Sequence, residues 1–354
     1  MRSGKRIISV LAAVVLMMLP SGCDFMRITE DLSDCATLFS VKYNVTLRTN
    51  LTTQVQTVLR SRFENEVADL LEDSLKNIFR EFAHDVDLSF YPGEERSFHD
   101  SHIMDAGQAT YSLELPVNDY RHLALANLAD EVEVDLTQSQ WVQRSYLSQI
   151  VGDTIQGHNT GLFTARQDMN ILGNVDQEFD VTLYMVNCAS ILVIRTDSVG
   201  YSQGVAYRDC QVYSSDFADG FMVNDSTFTH RTNPTVHDFR VTNPPVKREI
   251  YYAVTFPSCD TPEEAQTLPD TRADNSQTGS TEEDRIWRKY VYVTLPNGDV
   301  TRTVINVKMP LQAGQVMIIY AYMRPDGSIY SPNVEVSTSV SLKWKDGLDI
   351  ETGE

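Results

Sequence analysis

Short stretches in which every second residue is apolar recur along this chain, each cut off by Pro, Gly, Asn or Asp. Period-2 alternation is the mark of a half-buried strand, and no helix can bury such a pattern on one face. Phe39, Val41, Tyr43, Val45 and Leu47 make the first stretch. Others are read at Val86–Tyr91, Tyr111–Leu115 and Tyr120–Ala126, with a turn at 116–119 between the last two. A second series follows Gly173: Val181–Val186, Ile191–Arg195, Val205–Tyr213 and Ile250–Phe256. Tyr290–Leu295 and Thr301–Val307 flank Pro296-Asn297-Gly298-Asp299, and Asn-Gly between strands is a strong hairpin signal. Gln315–Tyr322 and Val334–Trp344 close the chain, parted by Pro325-Asp326-Gly327. Many short strands with turns between them predict a mainly β protein, two β-sandwiches in tandem.

One helix interrupts this pattern. Phe63, Val67, Leu70, Leu71, Leu75, Ile78, Phe79 and Phe82 recur at three- and four-residue steps, with Glu64, Glu66, Asp69, Glu72 and Lys76 on the other faces. The spacing predicts an amphipathic helix over residues 61–83, inserted in the first sandwich. Residues 260–285 carry eight acids, two Arg, two Pro and no aromatic, which predicts a mobile loop without a core of its own.

The first 23 residues speak to location. Arg2, Lys5 and Arg6 precede an apolar run from Ile7 to Leu19. Its 13 residues suit a secretion signal and are too few for a spanning helix, which needs ~20. The run ends at Pro20-Ser21-Gly22-Cys23, which resembles a bacterial lipoprotein signal apart from Pro20, where Leu is usual. The resemblance implies cleavage before Cys23 and acylation of that Cys. The expected organisation is a signal at 1–22, a polar tether at 23–36, one sandwich at 37–173 and a second at 174–354.

Charge excludes one class of partner. The chain carries a net charge of −20, which becomes −23 once Arg2, Lys5 and Arg6 are removed with the signal. Nucleic-acid affinity rests on Lys and Arg neutralising phosphates, so no nucleic acid is expected. Bare anionic lipid should also repel such a chain, and several acyl chains on Cys23 would overcome that repulsion.

Chemistry is sparse. Four cysteines remain beyond Cys23: Cys35, Cys188, Cys210 and Cys259. In an exported chain they can form disulfides, with three connectivities open, or stay as buried thiols. Gly200-Tyr201-Ser202-Gln203-Gly204 matches a nucleophile-elbow pattern, with Asp216 and His237 following in chain order. That motif needs a helix after the turn, whereas Val205–Tyr213 reads as a strand, so no enzyme is expected. His99 and His102 lie three apart in a polar loop, a weak metal pattern. No cofactor fingerprint is present. Trp141 and Trp287, if exposed, could stack on sugars.

The order of the pieces has a further resemblance. After the lipoprotein Cys come Asp31-Leu32-Ser33-Asp34-Cys35 and a first strand at Phe39–Tyr43. Asp87–Tyr91, Tyr111–Pro116 and Asp119–Asn127 follow, and the chain closes on Val340–Trp344. This resembles the anchor-subunit family of the major and minor fimbriae of Bacteroidales, the type V pili. The resemblance implies two transthyretin-like sandwiches, a lipid anchor in the outer membrane facing the surface, no catalysis, and assembly with fimbrial shaft subunits through exchanged β-strands. The alternative is a surface lipoprotein binding glycans or host proteins through its loops. The candidate exchanged strand is the last one, carrying Val334, Val336, Val340, Leu342 and Trp344.

Overall fold

The computed structural model describes residues 38–48, 51–61, 64–78, 86–92, 100–104, 110–127, 134–137, 142, 145–149, 154–158, 161–173, 175–197, 204–268, 284–332, 336–343 and 349–351. The predicted strands form within a few residues of their expected bounds, in four sheets.

The first sheet has seven strands: β1 (Leu38–Arg48), β2 (Val86–Pro92), β3 (Asp100–Met104), β4 (Thr110–Pro116), β5 (Asn118–Ala126), β9 (Phe163–Ile171) and β10 (Gln177–Met185), in the order β3-β2-β5-β9-β10-β1-β4. Strands β9 and β10 share only Tyr184↔Thr164 and Met185↔Phe163, so the sheet bends there into two leaves. The leaves meet across a core of Val41, Tyr43, Leu113, Leu115, Leu88, Phe90, Ala124 and Phe163. This is the first sandwich.

Two more sheets make the second. A five-stranded sheet runs β16 (Phe239–Arg240), β17 (Arg248–Thr255), β11 (Cys188–Arg195), β20 (Val316–Met323), β21 (Ile329–Tyr330). Facing it is a seven-stranded sheet: β23 (Asp349–Glu351), β22 (Val336–Lys343), β19 (Val300–Val307), β18 (Trp287–Thr294), β12 (Asp209–Ser215), β15 (Thr235–His237), β8 (Thr154–Gln156). The β18–β19 hairpin turns where Asn297-Gly298 predicted, with Gly298 at φ +94°. A small fourth sheet, β14 (Thr227–Thr229), β13 (Gly220–Met222), β7 (Tyr146–Gln149), β6 (Val134–Thr137), places Leu147 and Phe221 in a cluster with Tyr91 and Leu123 of the first sheet and with Phe256, which follows β17.

The five-stranded sheet is buried on both faces. Leu192, Ile194, Tyr251 and Ile319 face the second core with Val291, Val293 and Ile305. Ala189, Ile191, Val193, Ile250 and Val254 belong instead to the first core. Strands covered on both faces read as continuous apolar runs, which is what Ile191–Ile194 is.

The helical insertion differs from its expectation. It is two helices, α1 (Leu51–Ser61) and α2 (Asn65–Ile78), where one was expected over 61–83; Phe63, Phe79 and Phe82 lie outside the described residues. Thr and Val in 51–61 are weak helix formers, so α1 depends on burying Val55 and Leu59, one turn apart. Val67, Leu71 and Leu75 of α2 join the same core. Gln54 ties α1 to the five-stranded sheet: its Nε2 donates to Gly314 O and its Oε1 accepts from Val316 N.

The sheets do not divide at residue 173. Gln177–Met185 pairs in parallel with β1 and so completes the first sandwich. Residues 145–156 run the other way, with β7 pairing β13 and β8 pairing β15. The acidic stretch also departs from its expectation, because it begins in a packed helix, α3 (Pro262–Thr267), capped by Thr261 with Ala265 in the second core. Its later part, 269–283, lies outside the described residues.

Candidate functional site

For a protein expected to assemble through strands, the site is the set of strand ends and edges. β1 is interior. It pairs in parallel with β10 from Val41↔Gln177 to Arg48↔Tyr184, and antiparallel with β4 from Leu38↔Pro116 to Asn44↔Thr110. Its Val41 and Tyr43 are fully buried. Tyr43 OH donates to His122 Nε2, while His122 Nδ1–H donates to Ser89 O at 3.1 Å and the imidazole stacks on Phe90. Burial holds His122 down at about 4, so the ring is neutral and can accept from the tyrosine. The two leaves are therefore latched across the core by a strand that begins the described chain.

The last long strand is placed differently. β22 pairs with β19 over its whole length, from Val336↔Val307 to Lys343↔Val300. On its other side, among the described residues, it pairs with β23 alone, through three residues, Ser341 to Lys343. Register sets Val336, Val340 and Leu342 opposite Val307, Thr303 and Thr301; Val334 and Trp344 lie outside the described residues. A second edge, among the described residues, is paired over only part of its length. β20 pairs with β11 from Val316 to Tyr322, but with β21 only at Tyr322 and Met323. Beside its first half lies a cleft of about 380 Å³, lined by Gln54, Val307, Met309, Leu311, Val316 and Ile318.

This two-sandwich arrangement can be compared with known proteins. By sequence, no family model matches the chain, and no curated relative does. By structure, a candidate adhesin from Bacteroides ovatus superposes with a TM-score of 0.50 at 8% identity, over 86% of this chain and 96% of the other. The two share a fold. Candidate polysaccharide-binding proteins from Bacteroides thetaiotaomicron give 0.46 at 9% identity, over 87% of this chain and 99% of theirs. The fimbrial anchor protein Mfa2 from Porphyromonas gingivalis gives 0.45 at 8% identity, over 90% and 100%.

The remaining residues singled out in the sequence are scattered. Cys23 and Cys35 lie outside the described residues. Cys188, Cys210 and Cys259 are buried free thiols and do not pair with one another. Cys188 on β11, Cys210 on β12 and Cys259 in the segment after β17 all lie in the second core, where burial pushes all three up to about 12. Such thiols are inert toward exchange. His99 and Ser202 lie outside the described residues, and His102 is on strand β3 rather than in a loop. Asp216 and His237 are not partners. Asp216 is fully buried and accepts from Arg288, Arg285 and Asn233, whereas His237 Nδ1 meets Gln156 Oε1. Trp287 cannot stack on a sugar, because it is fully buried with its indole N–H donating to Met309 O; Trp141 lies outside the described residues.

Sequence reading missed the polar centres of the second sandwich. Lys289 is fully buried and donates to Ser190 Oγ (2.9 Å), Ser214 Oγ (2.8 Å) and Asp238 Oδ2. Glu249 takes Arg240 through both oxygens at 2.9 Å and also accepts from Tyr207 OH. Nothing local marks these residues, since their partners lie 9 to 99 positions away.

Proposed function

We propose that this chain is a fimbrial anchor or accessory subunit, a lipid-anchored surface protein of the outer membrane joined to fimbrial shaft subunits by β-strand exchange. The contrast between its two terminal strands carries the reading. β1 is paired on both sides and buried, so the chain that leads back to Cys23 is built into the first sandwich. β22 is peripheral, held by β19 and three residues of β23. An exchanged strand must leave its own sheet without destroying it, and β22 meets that condition while β1 does not. The stretch Met317–Ile319 of β20 offers the complementary feature: among the described residues β11 is the strand paired with it, and a strand edge of this kind is a template for a strand from another chain.

The end of the first sandwich where β1 starts exposes several apolar side chains beside Asn118, Asp119 and Asp176. Leu38, Val117, Leu172 and Val175 are each about half exposed there, and Phe39 and Val117 pack around Gly173. Exposed apolar side chains next to the tether suit a body held against a membrane surface by an acylated Cys23.

The test is to remove residues 331–354 and, separately, to make Arg48→Ala. The truncated chain should stay in the outer membrane while fibres are shed into the medium. In the fimbrial family that the chain resembles, shaft subunits are opened by cleavage after an Arg that removes the first strand; a cut at Arg48, the end of β1, would part the body from Cys23, so Arg48→Ala should leave attachment unchanged. If Arg48→Ala blocks assembly, the chain is a processed shaft subunit and the anchor assignment fails. Cys23→Ala should release a folded protein into periplasm or medium.

A further inference from the structure

His230, Cys259 and Glu264 come together at one corner of the second sandwich, with their ligand-type atoms all within 4.8 Å of one another. His230 Nδ1 lies 3.2 Å from Glu264 Oε1, and the His230 side chain is nine-tenths buried. Its other nitrogen, Nε2, is buried with no hydrogen-bond partner among the described residues. Cys259 is fully buried and free.

Each of the three is held by a separate device. The loop carrying His230 is clamped on Asp219, whose carboxylate accepts from Thr229 Oγ1, Arg231 N, Thr232 N and Thr232 Oγ1. The segment carrying Cys259 is fixed by Cys259 N donating to Asp216 O and by Ser258 Oγ accepting from Leu311 N. Glu264 is oriented by α3, where its N–H donates to Thr261 Oγ1 and its Oε2 accepts from Asp260 N at 3.0 Å. That leaves Oε1 turned toward the histidine. Donor atoms fixed in this way lose little entropy on taking up an ion, and an outer hydrogen bond to a ligating carboxylate sets its direction.

We infer that His230, Cys259 and Glu264 form a binding site for a divalent cation of the zinc class. One sulfur, one imidazole nitrogen and one carboxylate oxygen suit a borderline cation and disfavour Mg²⁺ or Ca²⁺, which take oxygen ligands. Binding replaces the S–H bond of Cys259 by an S–metal bond and releases that proton to solvent, with no change of oxidation state. Three protein ligands leave a fourth position for water or for a group from another chain. The ion would clip the loop after β14, the segment after β17 and α3 into one unit.

The purified full chain, stripped with a chelator, is titrated with Co²⁺ alone and with Zn²⁺ alone. The expected result is one equivalent of either ion, a thiolate-to-cobalt charge-transfer band, four-coordinate d–d bands, and a higher Tm with Zn²⁺. Cys259→Ser should abolish the charge-transfer band, and His230→Ala and Glu264→Gln should each weaken binding by about tenfold or more. Because Cys259 lies in the core, Glu264→Gln serves as the variant that keeps the fold: its metal-free Tm should match the parent. Absence of the charge-transfer band in the folded parent chain overturns the assignment. So does cobalt binding that is unchanged in both His230→Ala and Glu264→Gln.

Discussion

Lys289 brings an ammonium into the second sandwich with an acceptor for each of its three protons: Ser190, Ser214 and Asp238. Burial pulls its pKa below the ordinary lysine range, and the charge of Asp238 opposes that pull. Removing one partner of such a pair leaves the other charge buried alone, which costs about 3–5 kcal/mol. Asp238→Ala should therefore lower stability by that order in denaturant unfolding, and adding Lys289→Met should recover most of the loss. Two buried histidines give a pH signature. His122 is held at about 4 and His158 at about 3, both by burial, against an ordinary 6.5. The unfolded chain thus takes up protons below about pH 6.5 that the folded chain refuses, so stability falls as the pH drops through that window. Each histidine contributes up to ~1.4 kcal/mol per pH unit. Thermal melts between pH 7 and pH 4 should show this fall, and His122→Gln should flatten part of it.

Elements add what single residues do not. The amphipathic stripe of α2 buries Val67, Ala68, Leu71 and Leu75 completely. Leu71→Ala should cost about 2–5 kcal/mol, read from the urea midpoint at unchanged slope. α3 was hidden by its composition, since an acidic, Pro-containing segment reads as solvated. A single small residue, Ala265, carries its packing, and Arg285 Nη2 donates to Ala265 O to hold it. Ala265→Asp should lower Tm by several degrees, whereas a deletion confined to 269–283 should change Tm little. In the fourth sheet Gly220 lets β13 pass under the Tyr146 ring, and a methyl there would overlap that ring. Gly220→Ala should therefore loosen the pairing of β13 with β7, seen as faster amide exchange in both strands.

At the scale of the whole molecule, the five-stranded sheet is shared. One face closes the second core and the other, with α1 and α2, closes against the first. A salt bridge from Arg248 to Glu64 and the bonds of Gln54 cross the same boundary. The two sandwiches should accordingly unfold as one cooperative unit, and a calorimetric scan resolving two separate transitions would contradict this. The sequence by itself determined the strands, the hairpin at Asn297-Gly298 and the amphipathic face of α2, because period and turn chemistry act over a few residues. It also specified the β-sandwich class, since many short alternating strands have few other ways to bury one face. Which sheet each strand joins was decided only by tertiary structure. Gln177–Met185 returns to β1, residues 145–156 cross to the second half, and α1 forms from weak helix formers because a core was there to receive Val55 and Leu59. Lys289, Asp238, His230 and Cys259 acquire their surroundings in the same way. Their partners are distant in sequence, and pairing at that range is fixed by the packing of sheets, which no local pattern encodes.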